Sequence, residues 1–355
     1  MSETVVIAMS GGVDSSVAAL LLKEQGYKVV GVTLRLYDSC GRPAAKSCCA
    51  IEDAADARDV ARALGIEHRL VEHQAAFDAE VIQPFVRSYL RGETPNPCIM
   101  CNERVKFGTL WEYAMSLGAS KLATGHHARM VERGGRYEIH RGADRAKDQS
   151  YVLFPLTDEQ RRRTLLPVGE WTKEELRAKA REAGLPTYDK AESQDICFVG
   201  RRSYTDFLAS RGVTSQPGTV RHVDGEVLGR HDGIHHFTVG QRRGLGIPWS
   251  EPLYVTALNP STGDVTVGPR SSLGRPRFRV SPWNWHAPPD ERPPEADIQV
   301  RYHQVPKPAR FREAKEGVVL EWCGDPRVVT PGQAAVAYSG DRVLGGGWIR
   351  RETWR

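Results

Sequence analysis

At 355 residues, with 40% hydrophobic side chains and a formal net charge of +5, the chain is long enough for two or three folded domains and too evenly mixed to be fibrous or disordered. No apolar run approaches the roughly 20 residues of a membrane-spanning helix, and Met1-Ser2-Glu3-Thr4 leads into a strand-like run without a charged-then-apolar leader, so a cytoplasmic location and no membrane partner are expected. Seven cysteines, an odd number, read as reactive thiols or metal ligands more readily than as structural disulfides, and the modest positive charge permits an anionic polymer as partner without demanding one.

Residues 4–9 read as an apolar strand and 16–25 as a helix, and between them lies Ser10-Gly11-Gly12-Val13-Asp14-Ser15-Ser16. Backbone N–H groups at a helix start are unpaired and carry partial positive charge. Two adjacent glycines let the chain curl round an anion without a Cβ clash, so this loop is placed to hold phosphates. The alternation continues with a strand at 28–36, a helix at 52–64 and a strand at 68–71, with Gly26 and Gly65 where helix C-caps belong. Helices near 77–89 and 107–117 follow, then a short strand at 121–124 running into Gly125-His126-His127. Such βαβ order predicts a parallel sheet with helices on both faces and ligands beyond the carboxyl ends of its strands. A helix at 172–183, stopped by Gly184 and Pro186, precedes a short apolar segment at 194–199 that carries Cys197. Residues from about 200 to 275 are glycine-rich, with β-like runs at 253–258 and 264–267 joined by the turn Asn259-Pro260-Ser261-Thr262-Gly263. Beyond 278, runs at 296–302, 317–322, 334–338 and 342–349 have the spacing of a small β-barrel.

The loop lacks the Gly-Lys-Ser/Thr ending of a Walker A motif, whose lysine grips the terminal phosphates, so different chemistry is expected. S-G-G-V-D-S-S resembles the PP-loop of enzymes that split ATP between its α and β phosphates. The predicted architecture is an α/β parallel-sheet PP-loop domain, adenine nucleotide alpha hydrolase-like, over residues 1–200. A small β-rich central domain over 201–276 and a C-terminal β-barrel over 277–355 complete it.

Thr94-Pro95-Asn96-Pro97-Cys98-Ile99-Met100-Cys101-Asn102 is the second informative stretch: two prolines stiffen the approach, and C-x-x-C places both sulfurs on one side of a turn. A structural zinc site would need two more ligands, and no second C-x-x-C exists; only His126 or His127 could complete one. Cys197 by itself reads as a small buried hydrophobe between Ile196 and Phe198. Cys40, Cys48 and Cys49 fall in an insertion after the second strand and read as incidental loop cysteines.

Together these segments resemble the tRNA-specific 2-thiouridylase family over nearly the whole chain. The resemblance rests on A-M-S-G-G-V-D-S-S at 8–16, D-A-R-x-V-A at 56–61, T-P-N-P-x-x-x-C-N at 94–102, A-T-G-H at 123–126, K-D-Q-S-Y at 147–151 and L-L-P-V-G-E at 165–170. D-I-C-F-V-G at 195–200, V-G-Q-R-R-G-L-G-I at 239–247, R-Y-H-Q at 301–304, T-P-G-Q-A-A-V at 330–336 and L-G-G-G-W-I at 344–349 complete it. It implies a sulfurtransferase that replaces the 2-oxygen of the wobble uridine in the tRNA anticodon loop with sulfur, using ATP with Mg²⁺ and a relayed persulfide. By position in the family pattern, Ala8, Met9, Ser10, Gly11, Gly12, Val13, Asp14 and Ser15 would hold the phosphates, and Leu34 and Gly125 the adenosine. Cys197 would carry the persulfide sulfur. Cys101 would be its partner thiol, either freeing sulfide through a transient disulfide or supporting the attack. The sulfur would come from a persulfide-donating carrier protein or a cysteine desulfurase.

For RNA, the resemblance points to Asn96, Pro97 and Cys98 at the target base, and to His126, Lys147, Asp148, Gln149, Arg301, Tyr302 and Gln333 elsewhere. Some relatives carry an aspartate, a proposed general base, where this chain has Cys98, so acid–base help from that position is not expected. Alternatively Cys98, Cys101 and Cys197 could bind three irons of a four-iron, four-sulfur cluster whose fourth iron carries the incoming sulfide. Two competing functions remain at this level: a PP-loop ligase that adenylates a small metabolite, which leaves the cysteines and the barrel idle, and a non-catalytic RNA-binding protein with a remnant nucleotide fold.

Overall fold

The computed structural model describes residues 2–37, 51–191, 196–200, 202–214 and 216–351. Cys40, Cys48 and Cys49 lie outside the described residues. The chain divides into two compact units, one of Met1–Val81, Pro97–Arg202 and Asp341–Val343, the other of Ile82–Asn96, Ser203–Gly340 and Leu344–Arg355. The stretch before Asn96 thus clusters with the second unit, although it lies inside the expected first domain.

In the first unit, runs rich in β-branched residues form strands β1 Thr4–Ala8 and β2 Lys28–Arg35, and β3 Glu67–Glu72 and β4 Lys121–Ala123 follow. A hairpin of β5 Ala128–Arg133 and β6 Arg136–Arg141 and the short β7 Thr164–Leu165 come next. The parallel sheet runs in the order β3-β2-β1-β4-β7, with Ile7 opposite both Gly31 and Ala123. Strand order therefore reverses between β1 and β4, and the crevice at their carboxyl ends is where such a sheet binds ligands. Helix α1, Val13–Glu24, is buried nearly all round, at Val17, Ala18 and Leu22 among others, as expected of a helix with hardly a polar face. Gly26 and Gly65 close α1 and α2, Ile51–Leu64, in left-handed geometry at φ 85° and 63°.

The second unit contains a four-stranded sheet and a barrel. Strands β8 Gly218–His222, β9 Val227–His231, β10 Tyr254–Asn259 and β11 Asp264–Gly268 are ordered β10-β11-β8-β9. The barrel comprises β12 Arg277–Trp285, β13 Glu295–Gln299, β14 Lys307–Glu313, β15 Val318–Trp322, β16 Ala334–Ser339 and β17 Arg342–Ile349. Its order is β12-β15-β14-β13-β16-β17, and it closes where Val280 meets Ile349 and Trp283 meets Gly347. Closure leaves no open edge, and Phe278, Val280, Ile298, Leu320 and Ala337 fill the interior.

Two helices differ from expectation. The one expected at 77–89 is built of Gln74–Phe77, a π-helical turn Asp78–Ile82, and Gln83–Leu90. Pro84 has no N–H to continue the ladder, and the wider turn before it absorbs that break. The one expected at 107–117 begins ten residues earlier, as Pro97–Met100, π-helical Cys101–Thr109 and Leu110–Ser116. Pro97 suits the first position of a helix, so the C-x-x-C stretch is helical rather than the predicted turn. The hairpin β5–β6 and strands β8, β9, β12 and β14 were not anticipated, because charged residues or glycines interrupt their alternation and the pairing partner decides them.

Candidate functional site

The phosphate loop opens its helix earlier than the sequence suggests. Gly12, at φ −93° and ψ 162°, is the N-cap, and Val13 is the first helical residue instead of Ser16. The first helical bond is Ser16 N–H to the Gly12 carbonyl at 3.2 Å, and the Ser15 and Ser16 hydroxyls donate to the same oxygen at 3.1 and 2.8 Å. The N–H groups of Val13, Asp14 and Ser15 thus head the helix without helical acceptors, at the positive end of its dipole. Gly11 takes φ 70°, and a Cβ there would stand 2.1 Å from the Asp53 carbonyl oxygen. Gly125, just beyond β4, is equally confined: its Cβ would lie 2.7 Å from Ser15 N and 2.8 Å from Asp14 C. The two turns that end β1 and β4 therefore touch backbone to backbone.

Other groups line the same strand ends. Met9 N–H donates to the Val32 carbonyl at 2.8 Å, and the Met9 carbonyl accepts from the buried Thr33 hydroxyl at 2.8 Å. Thr33 also shares a hydrogen bond with His68 Nε2 at 2.9 Å. Leu34, half-buried and in register with Val71, lies at the carboxyl end of β2 beside them. Ala8 ends β1, and Ser10 is exposed.

Asp14 is the carboxylate of the loop. Lys173 Nζ reaches its two oxygens at 2.7 and 2.9 Å, and His127 Nε2 lies 3.2 Å from Oδ1. Burial alone would raise the Asp14 carboxyl, but the His127 and Lys173 contacts outweigh it and hold it below the usual carboxylate value. Lys173 is set by a capping box at the start of helix Lys173–Glu182, where the Thr172 hydroxyl accepts from Glu175 N–H. His126 is buried and shares a hydrogen bond with Thr124 Oγ1 through Nδ1 at 2.7 Å, with its ring near Phe107. Burial first, then the charges of Lys106 and His127, push its pKa well below the ordinary value, so it is a neutral imidazole at pH 7.

Both shifts are downward, so both groups make stability rise with pH. The His126 contribution is complete above its unfolded value of about 6.5 and is lost as pH falls through the lower native one. The Asp14 contribution behaves likewise below about 3.9. Unfolding measured against pH should show a stability gap between wild type and Asp14→Asn that is constant at neutral pH and shrinks only in strong acid. A gap constant down to acid-unfolding conditions would contradict the Asp14 assignment.

Of the K-D-Q residues, Asp148 is buried: it accepts from Arg141 Nη1 at 2.7 Å, Gly142 N–H at 3.0 Å, and Ser150 N–H and Oγ at 3.1 and 3.0 Å. It organises the loop from within. Gln149 and His127 bond twice, Oε1 accepting from His127 N–H at 2.9 Å and Gln149 N–H donating to the His127 carbonyl at 2.8 Å. Lys147 is half-buried.

Cys98 is exposed, and Cys101 and Cys197 are half-buried. The segments that carry Cys101 and Cys197 reach one helical stretch. Phe198 packs edge-on against Phe77 with ring centroids 5.9 Å apart, and Arg104 Nη1 donates to the Glu80 carbonyl at 3.1 Å. Next to Cys101, buried Asn102 donates to the Val152 carbonyl at 3.1 Å and pins the π-helical turn. Among the described residues no three His, Cys, Asp or Glu side chains are grouped so as to hold a metal ion. Cys98, Cys101 and Cys197 as arranged therefore do not fit a three-cysteine cluster.

In the second unit, Thr94, two residues before Asn96, is fastened to neighbouring loops. Its N–H donates to the Pro331 carbonyl at 2.8 Å, its carbonyl accepts from Gln333 Nε2 at 2.9 Å, and its hydroxyl donates to Thr238 Oγ1 at 3.3 Å. Gln333 thus steadies the approach to Asn96-Pro97. Arg301 Nη2 donates to Thr330 Oγ1 at 2.7 Å, and Tyr302 presents a ring that is 40% exposed beside His303. Lys173 and His127 are the site residues that sequence reasoning missed: the helix at 172–183 was expected, but nothing local points Lys173 at a partner 159 residues away.

A parallel sheet with an anion-holding glycine loop at its switch point, and no Walker lysine in that loop, defines the PP-loop class of ATP-using enzymes. Residues 3–201 match the family model described as tRNA methyl transferase HUP domain, 205–269 the tRNA methyl transferase PRC-barrel domain, and 275–349 the aminomethyltransferase beta-barrel domain. The tRNA-specific 2-thiouridylase MnmA of Rhodospirillum centenum (strain ATCC 51521 / SW) is 49% identical over 360 residues, covering 98% of this chain and 91% of the relative. The protein of the same name from Carboxydothermus hydrogenoformans is 46% identical, covering 98% and 97%. The chain belongs to the tRNA-specific 2-thiouridylase family. A 4-thiouridine synthetase solved with RNA and bound ATP overlaps 59% of this chain and 50% of its own, at 20% identity and a TM-score of 0.40, too slight to bear on the assignment. Among the described residues no helix is long and apolar enough to cross a membrane.

Proposed function

We propose that this protein is a tRNA-uridine 2-sulfurtransferase acting on the wobble uridine of the anticodon loop. The observation that carries the reading is the meeting of two thiol-bearing segments, those of Cys101 and Cys197, on one helical stretch of the unit that holds the phosphate loop. The phosphates of ATP lie at the start of α1, against the N–H groups of Val13, Asp14 and Ser15, with Gly11 and Gly125 admitting the close approach and Leu34 beside the adenosine. Asp14 suits the mode in which Mg²⁺ is held by one carboxylate and substrate phosphates, and a bound ion would neutralise phosphate charge.

The uracil 2-oxygen attacks the α-phosphorus, and the bond from that phosphorus to the bridging oxygen breaks with its electron pair leaving on pyrophosphate. Adenylation turns a poor leaving group into a good one. The Cys101 thiolate then attacks Cys197 Sγ, and the persulfide S–S bond breaks to release hydrosulfide. That sulfide displaces AMP at carbon 2, and a thiol reductant reopens the Cys101–Cys197 disulfide. A persulfide-donating carrier protein or cysteine desulfurase reloads Cys197. No step of this route runs through an iron–sulfur cluster.

Anticodon bases are single-stranded, so turning one into a site costs little, and arginine contacts to phosphate supply salt-sensitive affinity. Asn96, Pro97 and Cys98 are assigned to the target base, and Lys147, Gln149, Arg301 and the Tyr302 ring to its RNA surroundings. His126 and Asp148, both buried, and Gln333, bonded to the Thr94 carbonyl, act on RNA through the residues that each of them holds. The test supplies purified protein with ATP, tRNA and a persulfide source. Pyrophosphate release that requires tRNA, with 2-thiouridine in the digested product, is expected. Release without tRNA would instead indicate a small-metabolite ligase, and a methylated nucleoside a methyl transfer.

A further inference from the structure

The phosphate loop of this protein contains one carboxylate, Asp14, and no lysine. A carboxylate facing the approach of a polyanion opposes binding unless it is neutralised. Neutralisation comes from a distant helix: Lys173 Nζ lies 2.7 and 2.9 Å from the two Asp14 oxygens, and Lys173 is only 9% exposed. Its placement is fixed by the Thr172–Glu175 capping box and by its own N–H, which donates to Asp144 Oδ2 at 3.1 Å. A partly buried ion pair, with the Asp14 side chain 31% exposed, does little to hold a helix against a loop, since desolvation and solvent screening offset most of the attraction. The His127 ring, only 3% exposed, lies against the same carboxylate through Nε2 at 3.2 Å, so Asp14 already has a second partner when Lys173 is drawn away.

We propose that Lys173 is the phosphate-binding lysine of this site, a cation that rests on Asp14 and transfers to the β- and γ-phosphates of ATP when the nucleotide enters. It performs from a helix after the sheet the task that a Walker lysine performs from within its loop. The inference rests on the reading of the loop as an ATP site.

Equilibrium binding of ATP, AMP and inorganic pyrophosphate to the full chain tests it. Lys173→Met should weaken ATP and pyrophosphate by about tenfold to a hundredfold, the worth of a charge-assisted bond, and leave AMP nearly unchanged. Lys173→Arg, which keeps the charge, should retain most of the preference for ATP over AMP. Equal losses for ATP and AMP, or no loss, would overturn the proposal in favour of a merely structural lysine. If Lys173→Met does not fold, the wild-type ζ-nitrogen NMR signal of Lys173, assigned by its absence in Lys173→Arg, decides. It should shift with ATP or pyrophosphate and stay in place with AMP, and a signal unmoved by ATP overturns the proposal. A wild-type protein that binds neither ATP nor pyrophosphate removes the underlying ATP reading as well, which separates the two failures.

Discussion

Cys197→Ser and Cys101→Ser should each stop 2-thiouridine formation, by roughly 10³-fold or more as is usual when a nucleophile is removed, while tRNA-dependent pyrophosphate release continues. A serine hydroxyl holds no persulfide and does not cleave one, so the loss falls on sulfur delivery and not on adenylation. Both positions are half-buried, and replacing sulfur by oxygen there leaves no sizeable cavity, so thermal unfolding should change little. The measurement pairs nucleoside mass spectrometry with a pyrophosphate assay on the same preparation. Full thiolation by either variant would remove that thiol from the relay. Protein purified without oxygen and assayed for iron and sulfide completes the test: metal-free and fully active is expected, and activity that tracks iron content would restore the cluster.

The second large effect is expected at the glycines where the two turns meet. Gly11→Ala combines left-handed backbone at φ 70° with a Cβ 2.1 Å from a backbone oxygen, and the neighbouring Asp53 is tied down by Lys190. Strain and overpacking together should cost about 1–3 kcal/mol and shift the loop out of its anion-holding shape. Gly125→Ala has no unusual φ, yet its Cβ would press on Ser15 N and Asp14 C, so the helix start itself must move. In both variants ATP binding should fall by more than about tenfold, the worth of one charge-assisted bond to phosphate. Gly26→Ala is the control: its φ is 85° but nothing lies within 4 Å of the added carbon, so it should lose about 1 kcal/mol of stability and bind ATP normally. ATP binding unchanged in Gly11→Ala and Gly125→Ala would move the nucleotide site away from these turns.

The strand–loop–helix order at 4–25, the carboxyl-end position of Leu34 and Gly125, and the small β-barrel could be read directly from the chain, because glycine placement and apolar periodicity are local properties. The two π-helical turns could not, since an i+5 bond pattern leaves no periodic mark of its own and follows from how Pro84 and the Cys101 segment are packed. The burial of Asp148 under Arg141 and Ser150 was out of reach as well, since those partners come together only in the folded loop.

By itself the sequence determined the class: a phosphate loop without a Walker lysine, two thiols nearly a hundred positions apart, and a β-rich second half. Only the tertiary structure decided that Lys173 and His127 close on Asp14, that the Cys101 and Cys197 segments share one helical stretch at Phe77 and Glu80, and that the barrel shuts between β12 and β17. The physical reason is common to all three. Side-chain charge, burial and strand pairing are settled between residues far apart in the chain, and no local propensity encodes which distant partner a residue meets.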